Sequence, residues 1–151
     1  MGYSVGKFSQ DYLVKGSGHE TALVIELVGD LGAGKTQFVR GLAIGAGSAD
    51  AVQSPTFTIS RVYRGEGITI YHFDLYRLGE EPGIIAEDLK ELINDQQALI
   101  VTEWAEAADV LPPGRIRISI TVTDENERKF SFENLGDTHT EFFQTLEKDI
   151  A

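Results

Sequence analysis

With 151 residues, of which 42% are hydrophobic and 25% charged, the chain has the size and composition of one domain spanning residues 1–151, able to bury about two thirds of its unfolded surface. Lys and Arg number 13 against 24 Asp and Glu, and the resulting net charge of -11 argues against a self-sufficient RNA- or DNA-binding surface, a local basic patch aside. The absence of cysteine excludes disulfides and thiolate metal sites, and the opening MGYSVGKFSQDYLVKGSG lacks the apolar run of a signal peptide, so a cytoplasmic protein without membrane contact is expected.

The first apolar stretch, ALVIELV at residues 22–28, is too short to cross a bilayer. Interrupted only by Glu26, it reads as a buried strand of a parallel or mixed sheet. It runs directly into GDLGAGKT at residues 29–36, after which Phe38, Val39, Leu42 and Ala43 recur at helical spacing until Gly45 and Gly47 supply a stop. FTISRVY and ITIYHFDLY alternate as strands and are joined by RGEG at residues 64–67, a turn-like tetrad that predicts an antiparallel hairpin. Residues 83–94 have a helical pattern, with Ile85, Leu89, Leu92 and Ile93 on one face and Glu87, Lys90 and Glu91 elsewhere. ALIVTEW, residues 98–104, is a second short apolar strand, and it ends in a carboxylate. LPPG at residues 111–114 breaks the chain, and RIRISITVT, DENE and RKFSF read as another hairpin with period-two alternation. Thr138 and Glu141 have the spacing of a capping box ahead of Phe142, Phe143 and Leu146, which predicts a short terminal helix. These elements fit an α/β fold, a three-layer P-loop NTPase-like domain with a mixed β-sheet.

Gly29, Gly34, Lys35 and Thr36 satisfy G-x-x-x-x-G-K-[ST], and the strand before and helix after are the context that this motif requires. The loop formed by Gly29, Asp30, Leu31, Gly32, Ala33, Gly34, Lys35 and Thr36 would turn its backbone N–H groups and the helix N-terminus toward phosphates. Lys35 would neutralise β/γ oxygens, and the Thr36 hydroxyl would ligate Mg²⁺. A phosphate loop needs carboxylate help with the metal, and two acids end strands that could lie beside the first: Glu103 after ALIVT and Asp74 after ITIYHF. Between them they could divide metal binding and orientation of an attacking water, in either order; a turn-capping role for Asp74 fits its position equally well. SPTF at residues 54–57 could bring the Thr56 hydroxyl to the γ-phosphate or the metal. Arg40, Arg61, Arg64 and Arg77 are each candidates for charge stabilisation and each read more simply as surface residues, so no arginine finger is assigned. His72 reads as a hydrogen-bonded structural histidine, His19 and His139 share no metal-ligand spacing with it, and Trp104 reads as a packing residue or the edge of a partner surface.

GDLGAGKT, SPTFTI, HFDLYRL and TEW, in this order between Gly29 and Trp104, closely resemble the bacterial TsaE (YjeE) family of small P-loop ATPases, and the likeness extends more weakly through LPPGRIRISI. The resemblance implies a part in the threonylcarbamoyl modification of the adenosine next to the anticodon of ANN-decoding tRNAs. In that family the protein does not transfer the group itself; it binds a complex of the transferase TsaD with TsaB, contacts tRNA only indirectly, and hydrolyses ATP so that the system turns over. Position by position, the match implies that Gly32 to Thr36 bind ATP, that Thr36 and Glu103 hold Mg²⁺, that Asp74 is an essential acid near the γ-phosphate, and that Thr56 lies in a switch-like loop. Adenine contacts would come from the N-terminal segment and from the late hairpin around residues 126–128. Family members usually open with a longer amphipathic helix, whereas FSQDYLVKGSGHET is short and glycine-punctuated.

Two further readings use the same grip on phosphate. In a small-molecule or nucleotide kinase, Asp74 or Glu103 would activate a substrate hydroxyl in place of water, although the RGEG hairpin is a poor arginine-bearing lid. A nucleotide-sensing scaffold would bind ATP and hydrolyse it negligibly. GTPase action is disfavoured because no Asn-Lys-x-Asp guanine-reading sequence is present.

Overall fold

β1 (Leu23–Val28) is buried on both faces, as its nearly unbroken apolar sequence demands, and alternation sends its side chains into two separate cores. Leu23, Ile25 and Leu27 enter one core, while Val24 and the preceding Ala22 enter the other. The computed structural model describes residues 1–16, 19–55, 58–76, 83–105 and 109–150. Around β1 they form a six-stranded sheet whose other members are β2 (Ser60–Arg64), β3 (Thr69–Asp74), β4 (Ala98–Glu103), β5 (Arg115–Asp124) and β6 (Glu127–Leu135), in the order β2-β3-β4-β1-β5-β6. The central four strands, β3, β4, β1 and β5, run parallel, and β2 and β6 close the two edges as antiparallel hairpin partners.

Helices cover both faces. α1 (Gly2–Lys15), α2 (Lys35–Gly45) and α4 (Thr140–Ile150) contribute Val5, Leu13, Phe38, Val39, Leu42, Phe142 and Leu146 to the core that takes Ile25 and Leu27. α3 (Gly83–Leu92) lays Leu89, Ile85 and Leu92 against Phe73, Ala98 and Ile100 on the opposite face. The expected three-layer α/β architecture with a mixed sheet is the observed one. Among the described residues no helix is long and apolar enough to cross a membrane.

Two expectations change. The opening, read as short and glycine-punctuated over FSQDYLVKGSGHET, holds a helix of 14 residues that ends just before Gly16, and the earlier glycines Gly2 and Gly6 serve a helix crossing. A Cβ on Gly2 would come 2.2 Å from the Phe38 carbonyl oxygen, one on Gly6 1.9 Å from that of Leu42, and one on Gly45 2.0 Å from that of Tyr3. Small residues at four-residue spacing on both helices let the backbones of α1 and α2 touch. The capping box also shifts. α4 begins at Thr140, whose hydroxyl donates to the Asp137 carbonyl at 3.1 Å, so Thr138 stands in the turn before the helix, with its side chain against Gly114.

Glu26, the one interruption of the first strand, is 3% exposed and accepts hydrogen bonds from Arg115 Nε at 2.8 Å and Arg117 Nε at 3.1 Å. A buried carboxylate is tolerated where its charge and lone pairs are met in this way. At the far side of the same sheet His139 is buried beneath α1, with Tyr12 Oη 3.3 Å from its Nδ1. Burial pushes the His139 imidazole below its ordinary range, a hydrogen bond with the Ala22 backbone acts against that, and nearby His19 adds to it.

Two tests follow from these contacts. Gly6→Ala should lower stability by about 1–3 kcal/mol, since the Leu42 carbonyl it meets is backbone and has little room to yield. Ser4→Ala, on the exposed side of the same helix, should leave the melting temperature nearly unchanged. For His139, the unfolded chain takes up a proton near pH 6.5 while the folded chain resists until lower pH, so stability should fall as pH drops below about 6.5 and level off below the folded value. Urea titrations across pH 7.5 to 4.5 should show that segment flattened in His139→Asn.

Candidate functional site

The loop between β1 and α2 owes its shape to three glycines used in two ways. Gly32 and Gly34 have φ of 80° and 103°, a region that glycine enters at little cost, and the space in front of both is open. Gly29 instead permits close contact: a Cβ there would lie 2.8 Å from the Ile120 carbonyl oxygen on β5. Gly34 is the N-cap of α2 and has no side-chain cap, so the free N–H groups of that helix end face the loop's concavity.

Lys35 is buried and folds back over this concavity. Its Nζ donates to the carbonyls of Gly29 and Asp30, the second at 3.3 Å, and lies 4.2 Å from the centre of the Trp104 ring. Trp104 reaches that place with a φ of 59°, a left-handed conformation rare for a bulky side chain, and its indole in turn meets Tyr76 at 5.3 Å between ring centres. Trp104, read from sequence as a packing residue or the edge of a partner surface, is thus stacked on the phosphate-loop lysine.

Both acids arrive by strand register. β4 lies between β1 and β3, with Glu103 opposite Leu27 on one side and opposite Asp74 on the other. Glu103 and Asp74 therefore end adjacent parallel strands side by side, at the carboxyl edge where open α/β sheets bind ligands. Glu103 is 3% and Asp74 7% exposed. Asp74 Oδ1 accepts the Tyr76 N–H at 3.0 Å, so the turn-capping role is real and coexists with its place at the site. Asp30, Leu31, Gly32, Ala33, Gly34, Lys35, Thr36, Gln37, Ser54, Asp74, Glu103 and Trp104 together line a cavity of about 230 Å³.

A second cleft, about 440 Å³, shares Ala33, Gly34 and Gln37 with the first and continues it toward α1 and the β5–β6 turn. Phe38 and Phe130, 6.0 Å apart between ring centres, form its apolar floor, and Met1, Glu125, Asn126 and Arg128 its rim. Arg128 donates from Nε to the Ala33 carbonyl at 3.2 Å and from Nη1 to carbonyls of its own turn, clasping the hairpin to the phosphate loop. Nothing in the sequence marks this contact except the rough expectation that residues 126–128 approach the nucleotide.

Thr56 and Arg77 lie outside the described residues. Arg40 bonds Gln37 Oε1 at 2.7 Å on the α2 surface, and Arg64 is exposed at the end of β2. Arg61 faces His72 across the β2–β3 ladder, one residue pair in from Ser60 and Phe73. His72 differs from the expected hydrogen-bonded histidine: it is fully buried, and among the described residues neither ring nitrogen has a hydrogen-bond partner.

Residues 7–130 match the family described as Threonylcarbamoyl adenosine biosynthesis protein TsaE. The chain is 38% identical over 128 residues to the tRNA threonylcarbamoyladenosine biosynthesis protein TsaE of Bacillus subtilis, an alignment that covers 83% of this chain and 78% of that one. It is 37% identical over 120 residues to the Haemophilus influenzae protein of the same name, covering 78% and 75% of the two chains. In three dimensions it resembles the crystal structure of Bacillus subtilis YdiB with a TM-score of 0.70 at 27% identity, over 99% of this chain and 89% of that one.

The adjacent buried carboxylates generate a prediction about stability in the absence of nucleotide. Glu103→Gln removes a buried charge beside Asp74 without changing shape, so it should leave the melting temperature of the nucleotide-free chain unchanged or raise it, by up to about 1 kcal/mol of stability. A loss of more than that on calorimetry would mean that the Glu103 charge is needed to hold the fold.

Proposed function

This chain belongs to the TsaE family, and we propose that it is the ATP-hydrolysing subunit required for tRNA N6-threonylcarbamoyladenosine modification, working on the TsaB–TsaD complex without transferring the group itself. The observation that carries this reading is the convergence on one cavity of the phosphate loop, Lys35 and Thr36 with two carboxylates from adjacent parallel strands. A phosphate loop accompanied by a metal acid and a second acid suits phosphoryl transfer to water.

In this reading the loop from Gly29 to Thr36 cradles the β- and γ-phosphates. Lys35 would exchange its bonds to the Gly29 and Asp30 carbonyls for bonds to phosphate oxygens. Thr36 and Glu103 would hold Mg²⁺, and the fit rests on the Glu103 carboxylate, which is buried, lines the phosphate cavity together with Thr36, and among the described residues has no Lys or Arg as ion-pair partner. When bound, the ion neutralises charge that develops on the β- and γ-phosphate oxygens. Asp74 orients the attacking water toward the γ-phosphorus; as the water oxygen bonds to phosphorus the P–O bond to the β-phosphate breaks, ADP and inorganic phosphate leave, and the proton lost by the water passes to solvent. Thr56 acts as the γ-phosphate sensor. The adenine lies in the adjoining cleft, against Phe130 and beneath Arg128.

The chain acts as one unit in the cytoplasm. Its charge of -11 suits a subunit that meets tRNA through its partners, since unscreened repulsion would oppose direct contact with a polyanion.

Multiple-turnover threonylcarbamoylation reconstituted with TsaB and TsaD tests the proposal. Lys35→Ala and Glu103→Gln should each reduce turnover by about a hundredfold or more while circular dichroism shows the fold intact. Wild-type turnover with both variants would sink the ATPase reading. Phosphate release that requires an added metabolite and phosphorylates it would favour the kinase, and nucleotide binding with no release under any condition would favour the scaffold.

A further inference from the structure

We propose that His72 is a positioning residue that holds the Glu103 carboxylate in place for the metal, an inference that rests on Glu103 being a Mg²⁺ ligand. His72 lies in the middle of β3, one position before Phe73 and two before Asp74, on the face of the sheet that carries Asp74 and Glu103. Its Nε2 is 3.6 Å from Glu103 Oε1, and both side chains are almost wholly buried, at 0% and 4% exposure.

An ordinary core histidine has its ring nitrogens hydrogen-bonded, because an unmet buried donor or acceptor is costly. Among the described residues His72 Nδ1 and Nε2 and Glu103 Oε1 are all without such a bond. The two orphan groups face each other at a distance just too long for a hydrogen bond and short enough for a small rotation to close. A proton on Nε2 then meets Oε1, the buried oxygen, while the residue's place in the lining of the phosphate cavity is kept. The imidazole is fixed from behind as well. Its ring meets that of Tyr63 at 6.3 Å between centres, and the Tyr63 hydroxyl donates to the Gln53 carbonyl at 2.9 Å and accepts from the Gln53 N–H at 3.2 Å. Gln53 precedes Ser54, which lines the same cavity, so the ring is linked through Tyr63 to the segment that supplies one of the cavity's walls. A ligand oriented by a fixed neighbour is the usual means by which a protein raises metal affinity, and loss of such a neighbour typically costs about tenfold to a hundredfold in binding.

The test reads metal binding without turnover. Mn²⁺ binding to the ADP-loaded chain is followed by loss of the free-ion paramagnetic resonance signal, and ADP binding is measured separately in EDTA. Expected is a weakening of Mn²⁺ affinity by about tenfold or more in His72→Leu, recovery of most of it in His72→Gln, which restores an N–H donor, and unchanged ADP affinity in EDTA for both. If the leucine variant does not fold, His72→Phe, which keeps a planar ring against Tyr63 but no donor, is read on the same scale. Wild-type Mn²⁺ affinity in the variant lacking a donor overturns the proposal, and so does an equal loss in the donor and non-donor variants, or a matching loss of ADP affinity in EDTA. Glu103→Gln separates the two levels of inference: if it binds Mn²⁺ as wild type does, Glu103 is not a ligand and the role of His72 falls with it. If it weakens binding while the His72 variants do not, only the positioning role is lost.

Discussion

Where β4 sits decides what the molecule can do. It is inserted in parallel between β1 and β3, and its last residue, Glu103, is level with Leu27 on one side and Asp74 on the other. Side chains alternate along a strand, so a slip of one residue in either ladder would turn Glu103 or Asp74 to the α3 face and take one of the two strand-end acids from the phosphate loop. The register is locked by the two cores: Val101 and Ile25 must enter one, Ile100 and Val24 the other. Apolar burial, which carries most of the folding free energy, thereby also sets the position of two charged groups that oppose folding.

Glu26 and Glu103 show how differently the sheet treats two acids of equal burial. Each is 3% exposed. Glu26 is surrounded by Arg115 and Arg117, which answer its charge and tie β1 to β5. Among the described residues Glu103 has only His72 within ion-pair range, and Asp74 is its neighbour in register. A carboxylate whose charge is met by the fold is structural; one whose charge waits for something else is where a cation and a nucleotide belong.

Much of this was legible from sequence because it is local. The P-loop motif needs only one strand, six loop residues and one helix, and the acids announce themselves at the ends of short apolar runs. Both hairpins were marked by alternation and turn residues. What escaped depended on partners distant in the chain. Nothing local marks Gly2 and Gly6 of α1; once α2 is known to cross them, they on one side and Gly45 on the other become the condition for contact. Arg128 is 95 positions from the Ala33 carbonyl it holds. Thr138 has the right neighbour three residues on for a cap, but the chain's return past Gly114 takes its side chain elsewhere. Residue identity could not reveal the left-handed backbone of Trp104 or the unmet nitrogens of His72, since both are set by the surrounding geometry.

The chain contains a single tryptophan, and its indole rests on the amino group that a polyphosphate must attract to itself. All of the protein's indole emission therefore comes from the mouth of one cavity, from a ring whose excited state is sensitive to a neighbouring positive charge. Any displacement of the Lys35 amino group from that ring is therefore expected to register in the protein's own emission, with no label added.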